Sequence, residues 1–390
     1  MSLPGHLVAA AASGGAIRPT AVEIDLDAVV DNARAIARLA GTALYAVVKA
    51  DAYGHGAPMI VHALEQAGAC AGFAVSLVEE GTALRDAGVR APILVMGPSQ
   101  RGGHDEMIAR GLTPVVSDAS ELELLAAAAR GQTIAAHLKV DTGISRLGVP
   151  VATAVEVATR ARALGIDVVG LMTHLADADV DDPADASCPT WRQLGRFDEV
   201  VAAVRAAGGP VAARHAANSS GAMLFPSARL DLVRVGLALY GNGRWAPDDG
   251  LATPRRQVMR FVTRVAQLRR VEAGARVGYG GLWTASRPTT VAVLPVGYAD
   301  GLPRRVTGHA EVLVAGRRCP LVGAVSMDIA IADVTDLPDV AIGDEVVLLG
   351  HARGRFGEGT IRAAELATWA GVTEYEVTCG VSKRVPRVAR

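Results

Sequence analysis

Eight short apolar runs recur between positions 44 and 236, each followed by an Ala-rich or amphipathic segment, and this alternation leaves the chain few folds to choose from. The runs cover residues 44–48, 72–75, 93–96, 114–116, 134–140, 168–172, 210–213 and 232–235. Continuous apolar runs are the pattern of strands buried on both faces, as in parallel sheets. The intervening segments read as helices. Residues 58–67, 78–87 and 153–163 carry apolar positions at helical spacing and stop at Gly68, Gly88 and Gly165. A glycine just beyond a helix supplies the left-handed residue that ends it. Eight strands in strict alternation with helices predict an α/β fold, a (β/α)8 TIM barrel. A doubly wound open sheet fits the same alternation, because periodicity does not count closure.

The texture changes after residue 254. Alternating β-branched runs follow at 258–271, 289–294, 310–314, 329–334 and 345–349, separated by Gly/Pro turns, with helical patterning only at 361–369. This predicts a mainly β C-terminal domain over 255–390 behind a barrel over 19–254. The full length of 390 residues exceeds what one core usually supports, so two domains are expected. Segment 20–26 is strand-like, precedes the first barrel helix and can pair with the second domain. Residues 1–18 read as a mobile N-terminal extension. They lack basic residues ahead of the small-residue run at 8–12, which argues against a signal peptide.

Composition excludes several function classes. With 39 Lys and Arg against 40 Asp and Glu, and no basic cluster, nucleic acid and anionic membrane surfaces are poor partners. No apolar stretch reaches the roughly 18 residues of a membrane span. Cys70, Cys188, Cys319 and Cys379 show no C-x-x-C spacing, so no metal site is expected. Their spread suits reduced thiols and a cytoplasmic location.

Lys49 closes the first apolar run, and barrel active sites are built at the C-terminal ends of strands. Apolar walls disfavour an ammonium, so a lysine there is drawn below its usual pKa of about 10.4 toward a neutral, nucleophilic form. Such a lysine can form a Schiff base. A lysine merely snorkelling at a strand end fits the local pattern as well. Gly54-His55-Gly56 reads as a turn or as a place of close backbone approach. Ser219 opens a helix after the seventh run, and Gly236 and Leu237 follow the eighth. Barrels commonly bind phosphate there, although a serine N-cap without ligand is the simpler reading.

The peptide Ala46-Val47-Val48-Lys49-Ala50-Asp51-Ala52-Tyr53-Gly54-His55-Gly56 resembles the cofactor-attachment motif of alanine racemases along its whole length. The resemblance implies pyridoxal 5'-phosphate on Lys49, and a homodimer with shared active sites that interconverts L-alanine and D-alanine, supplying D-alanine for peptidoglycan. Further segments are similar to the family in order, from about Pro19 to Cys379. In Lys139-Val140-Asp141-Thr142-Gly143-Ile144-Ser145-Arg146, Lys139 matches a lysine often carbamylated. Arg146 matches the arginine that it orients toward the cofactor's phenolic oxygen and the substrate. Ile144-Ser145 departs from the usual Met-Gly. His174 matches a histidine packed on the cofactor ring. Asn218, Ser219, Gly236 and Leu237 match the phosphate cradle, joined by Tyr53 and Tyr375.

Arg234 matches the arginine that meets the pyridine nitrogen, with His215 supporting it from behind. An arginine keeps its proton, so the ring stays a weaker electron sink than one facing a carboxylate. Racemisation needs acid/base groups on both faces of a planar carbanion. The resemblance assigns one face to Lys49 and the other to Tyr279, the latter from the partner subunit. Tyr298 matches an entrance residue. Met327 matches the residue whose amide binds the substrate carboxylate, in a segment with Ser326 where many members have Cys. Two other readings share the barrel: a pyridoxal-phosphate decarboxylase of basic amino acids, and a non-catalytic pyridoxal-phosphate-binding protein. Arg234 and Tyr279 speak against the first, and the second domain against the other.

Overall fold

The computed structural model describes residues 17–98, 102–209, 211–244 and 256–390. Of the extension expected over 1–18, only Ile17 and Arg18 fall within the described residues. The chain divides into two compact units, one of Asp27–Arg256 and one that joins the residues up to Leu26 with Gln257–Arg390. The first strand, β1 (Ala21–Ile24), belongs to the second of these and is taken up with it.

The unit Asp27–Arg256 alternates strand and helix. Its strands are β2 (Ala43–Val47), β3 (Gly72–Val75), β4 (Ile93–Val95), β5 (Thr113–Val116), β6 (Ile134–Asp141), a two-residue β7 (Val149–Pro150), β8 (Ile166–Met172), β9 (Ala213–His215) and β10 (Leu232–Val235). Its helices are α1 (Leu26–Ala40), a short irregular α2 (Lys49–Tyr53), α3 (Ala57–Gln66), α4 (Val78–Asp86), α5 (Gly103–Ala109), α6 (Glu121–Ala129), α7 (Ala154–Ala163), α8 (Pro189–Ala206) and α9 (Ser219–Leu224). Eight strands pair in parallel in the order β10-β2-β3-β4-β5-β6-β8-β9, with β7 hanging from β6. The ring closes between β9 and β10 through the Asp231 amide to Arg214 O at 3.1 Å and the Arg234 amide to Ala217 O at 3.1 Å. It is the expected (β/α)8 barrel, and closure excludes the open sheet.

Burial explains the pattern that announced the strands. Every residue of β3, β4 and β10 is buried. The helices turn apolar faces inward, as with Ile60, Val61 and Leu64 of α3 and Leu194, Phe197, Val200, Val201 and Val204 of α8. One run is misplaced. The expected strand at 210–213 forms instead at Ala213–His215, and Pro210 lies outside the described residues. Its Arg214 and His215 are polar, but each has a partner. Arg214 pairs with Asp231 at 2.8 Å, and His215 faces Arg234. Satisfied polar groups can sit in a strand that hydropathy does not reveal.

In the other unit, β1 lies between two C-terminal strands. It pairs antiparallel with β11 (Met259–Arg264) and parallel with β21 (Arg387–Ala389). The expected single strand over 258–271 is two, β11 and β12 (Gln267–Val271). A hairpin of β13 (Arg276–Val277) and β14 (Trp283–Thr284) follows. Then come β15 (Thr289–Leu294), β16 (Glu311–Val314), β17 (Arg317–Pro320), β18 (Ala330–Asp333), β19 (Glu345–Gly354) and β20 (Gly357–Ile361). Two helices, α10 (Ala363–Ala370) and α11 (Glu374–Cys379), precede β21. A core cluster of Val262, Leu313, Val347, Ala352 and Ile361 joins β11, β16, β19 and β20. The domain is mainly β, as its alternating pattern predicts.

Candidate active site at the barrel mouth

Lys49 emerges from β2 and is half-buried. The residues after it adopt a left-handed turn: Ala50, Asp51, Ala52 and Tyr53 all have φ between 51° and 55°. Each non-glycine residue so placed costs roughly 1–2 kcal/mol. Strain of this kind persists only where surroundings impose it. Here Glu80 of α4 does so. One carboxylate oxygen accepts the Ala50 amide at 2.6 Å, and the other accepts the amides of Ser76 and Leu77 at 2.9 and 3.0 Å. Asp51 accepts the Ala57 amide at 2.7 Å and ties the turn to α3. His55 closes it, with Nδ1 at 2.8 Å from Ala52 O and its ring stacked on Tyr240.

The same turn delivers Tyr53. A Cβ on Gly236 would lie 2.5 Å from Tyr53 Oη, so glycine at 236 leaves the space that the phenol enters. Gly236 follows β10 and opens the turn Leu237–Tyr240. Ser219 begins α9 behind Asn218, whose side chain caps the helix by accepting the Gly221 amide at 2.9 Å. Ser219 Oγ in turn accepts the amides of Gly236 and Ala238, both at 3.2 Å. The loop after β10 and the start of α9 thus meet through Ser219, with Tyr53 reaching Gly236.

Arg234, on β10, is 3% exposed. Its guanidinium donates to His215 Nδ1 at 2.8 Å, Thr173 O at 2.9 Å, Ala216 O at 3.3 Å and His174 Nδ1 at 3.3 Å. All four acceptors are neutral. Burial pulls Arg234 down to about 9, which leaves it charged at neutral pH. Lys139, near the end of β6, is also buried. Burial, then Arg146 and Arg234, bring its ammonium down to about 8, with Asp141 opposing and Lys49 adding to the fall. His174 follows β8 and is held well below its usual value by burial and then by Arg234, Arg146, Lys139 and Lys49. Four cations therefore share one field at the C-terminal ends of β2, β6 and β10.

His215 meets a further histidine absent from the sequence reading. His137 Nδ1 lies 2.7 Å from His215 Nε2, both rings being buried. Glu80 was likewise missed. Strand alternation could have found His137, since it stands two residues before Lys139 on β6 and so shares its face.

The remaining expected site residues lie in the other unit. Tyr279 tops the β13–β14 hairpin, 75% exposed, where Arg276 Nη2 clasps Gly280 O at 2.6 Å. Tyr298 and Met327 sit on adjoining loops. The Tyr298 amide bonds Ser326 O and the Ala299 amide bonds Met327 O, both at 3.0 Å. A Cβ on Gly297 would stand 2.3 Å from each of those carbonyls, so the contact requires glycine. Fully buried Asp300 holds the loop by accepting the Gly297 amide at 2.9 Å and pairing with Arg18 at 2.6 Å and Arg384 at 2.7 Å. Tyr375 lies on α11 and is exposed.

The alanine racemase N-terminal domain model matches residues 24–243 and the C-terminal domain model matches 258–389. The chain belongs to the alanine racemase family. It is similar to the alanine racemase of Sorangium cellulosum, at 44% identity over 96% of this chain and all of that one. Among solved structures it resembles the alanine racemase of D-cycloserine-producing Streptomyces lavendulae, with TM-score 0.85 and 35% identity over 96% of this chain and 98% of that one. The alanine racemase of Bartonella henselae, solved with covalently bound pyridoxal phosphate, gives TM-score 0.83 and 30% identity over 95% and 99%. An alanine racemase is an isomerase, and this chain is an enzyme of that class. No described helix is long and apolar enough to cross a membrane, and no described cluster of His, Cys, Asp or Glu could hold a metal ion.

Proposed function

We propose that this chain interconverts L-alanine and D-alanine with pyridoxal 5'-phosphate held on Lys49, in a homodimer whose sites each draw on both subunits. The observation that carries the reading is the shared field of Lys49, Lys139, Arg146 and Arg234 at one barrel mouth. Such a field suits a ligand with a phosphate, a phenolic oxygen and a substrate carboxylate. The residues fit the cofactor. Tyr53 Oη, Asn218, Ser219 and the amides of Gly236 and Leu237 would hold the phosphate, and the bare Cα of Gly236 is what lets the Tyr53 phenol stand among them. When bound, the cofactor supplies the aldehyde that holds the substrate amine and the ring that spreads charge left at Cα.

Lys49 would hold that group, and its amine would move the Cα proton on one face, as base for the D enantiomer. Tyr279 of the partner subunit serves the opposite face as base for the L enantiomer. Its exposure on a clasped hairpin supports a role outside its own subunit. Arg234 would meet the ring nitrogen as a donor that keeps its proton, which would favour return of a proton to Cα over loss to other products. His174 would pack against the ring, and His215 backs Arg234.

Carbamylation of Lys139 needs a neutral amine, and a pKa of about 8 brings one within reach. The carbamate would orient Arg146 toward the phenolic oxygen and the substrate. The Met327 amide receives the substrate carboxylate, Tyr298 narrows the entrance, and Tyr375 reaches the phosphate. Product D-alanine serves peptidoglycan, and four free thiols suit a cytoplasmic enzyme.

The test is incubation with pyridoxal phosphate and a panel of L-amino acids, followed by chiral chromatography. D-alanine should accumulate from L-alanine faster than any other product. Amine and carbon dioxide from a basic amino acid would replace this reading with a decarboxylase, and no turnover at all would overturn it.

A further inference from the structure

Arg234 is a donor only, so the atom it meets at 2.8 Å, His215 Nδ1, must carry a lone pair. A neutral imidazole with Nδ1 unprotonated carries its proton on Nε2. Among the described residues, that Nε2–H has one neighbour at hydrogen-bond distance, His137 Nδ1 at 2.7 Å, which must then be an acceptor. The reverse direction would strip His215 of both protons. The chain of donation is therefore single: Arg234 to His215, and His215 to His137.

The fold has made room for this chain. The strand order is β6-β8-β9, so a ring on β6 can reach a ring on β9 only by passing over β8. Gly170 of β8 stands in register with His137 of β6 and with Ala213 of β9. A Cβ at 170 would lie 2.3 Å from His137 Nδ1 and 2.5 Å from its Cε1. The two rings meet edge-on above it, with centroids 4.8 Å apart.

We propose that His137 is a positioning residue, which accepts the His215 Nε2 proton and thereby holds the His215 ring with its Nδ1 lone pair turned to Arg234. Without that acceptor, the buried Nε2–H has no partner where the ring now stands, and the ring turns from Arg234 to find one. The guanidinium loses one of its four partners and its fixed aim at the mouth. Burial, and then Arg234, hold His137 down at about 4, so its Nδ1 stays an acceptor at neutral pH. The effect on turnover rests on the proposed role of Arg234 in racemisation, while the tautomer assignment does not.

Ring-nitrogen NMR of histidine-labelled holoenzyme reads the tautomers directly. In the wild type, His215 should show a bare Nδ1 and a protonated Nε2. His137→Phe keeps a ring but removes the acceptor. It should release His215 Nδ1 from Arg234, moving the Nδ1 resonance toward that of a nitrogen facing no donor, and lower kcat about ten-fold, the effect of leaving one buried donor unsatisfied, with KM for alanine changed less. His137→Asn places an amide oxygen near the lost Nδ1 and should restore both the His215 Nδ1 resonance and most of kcat. Gly170→Ala displaces the ring without altering it and should reproduce the His137→Phe signature. A wild-type His215 protonated on Nδ1, or an unmoved His215 Nδ1 resonance in His137→Phe, overturns the proposal. A moved Nδ1 resonance with unchanged kcat upholds the positioning and overturns the role given to Arg234.

Discussion

The barrel mouth and the loops of the β unit treat their functional residues in opposite ways. At the mouth, Lys139, His215 and Arg234 are buried, and both terminal nitrogens of the Arg234 guanidinium meet neutral acceptors. In the β unit, Tyr279 is 75% exposed, Met327 53% and Tyr298 42%. Their backbones are nonetheless fixed, by the Arg276 clasp, by the Gly297 contact and by buried Asp300. One region tunes charge by burial. The other presents rigid groups that need a cover to lose their water. On the proposed mechanism, electrostatic preparation belongs to the barrel and delivery of the second base to the β unit, so that either half alone would perform an incomplete reaction.

Substitutions sharpen that division, the largest effects coming at the mouth. Lys49→Ala should abolish both covalent retention of pyridoxal phosphate, read from the visible absorbance after desalting, and racemisation. Turnover surviving in that variant would remove Lys49 from its place. Tyr279→Phe should lower kcat by about 10²–10⁴, the usual range for one acid/base group. Cofactor absorbance and melting temperature should stay near wild type, because the hydroxyl lost is exposed. A melting shift as large as that of a core substitution would show the tyrosine to be structural. Gly236→Ala should weaken cofactor retention about ten-fold through displacement of Tyr53, as expected for one lost hydrogen bond to a charged phosphate. Unchanged retention would place the phosphate elsewhere.

The smallest effect concerns stability. His137 is held at about 4, and His215 well below its usual range, by burial first and by Arg234 next. Unfolded, both take up a proton near pH 6.5. The unfolded state then binds more protons between those values, so stability is complete above pH 6.5 and falls as pH drops toward 4. Urea midpoints measured from pH 7 to pH 4.5 should decline, and His137→Asn should decline less steeply. Equal slopes would show that these rings do not couple folding to protons.

The fold was largely legible because barrel strands buried on both faces leave continuous apolar runs. It was illegible where polar groups are satisfied internally. The seventh strand, with Arg214 and His215, hides from hydropathy because Asp231 and Arg234 complete it. Short strands such as Arg276–Val277 and Trp283–Thr284 are set by a pairing of two residues each, too few for a period to show. At the site, resemblance named the residues proposed to carry chemistry, with His215 behind Arg234 and Lys139 beside Arg146, but it did not name Glu80 or His137. The left-handed turn at Ala50–Tyr53 is imposed by Glu80, about thirty residues away, and nothing in Ala-Asp-Ala-Tyr announces positive φ. His137 was within reach of strand alternation, but its partner His215 lies two strands away across Gly170.

The claim that one site needs the mouth of one subunit and the hairpin of another is tested most directly by mixing two inactive proteins. Lys49→Ala and Tyr279→Phe, unfolded and refolded together with pyridoxal phosphate, form mixed dimers in which one site regains both Lys49 and Tyr279. Racemisation should return to about a quarter of the wild-type rate for random pairing in a two-fold dimer. A mixture as inactive as its components would contradict a site shared between subunits.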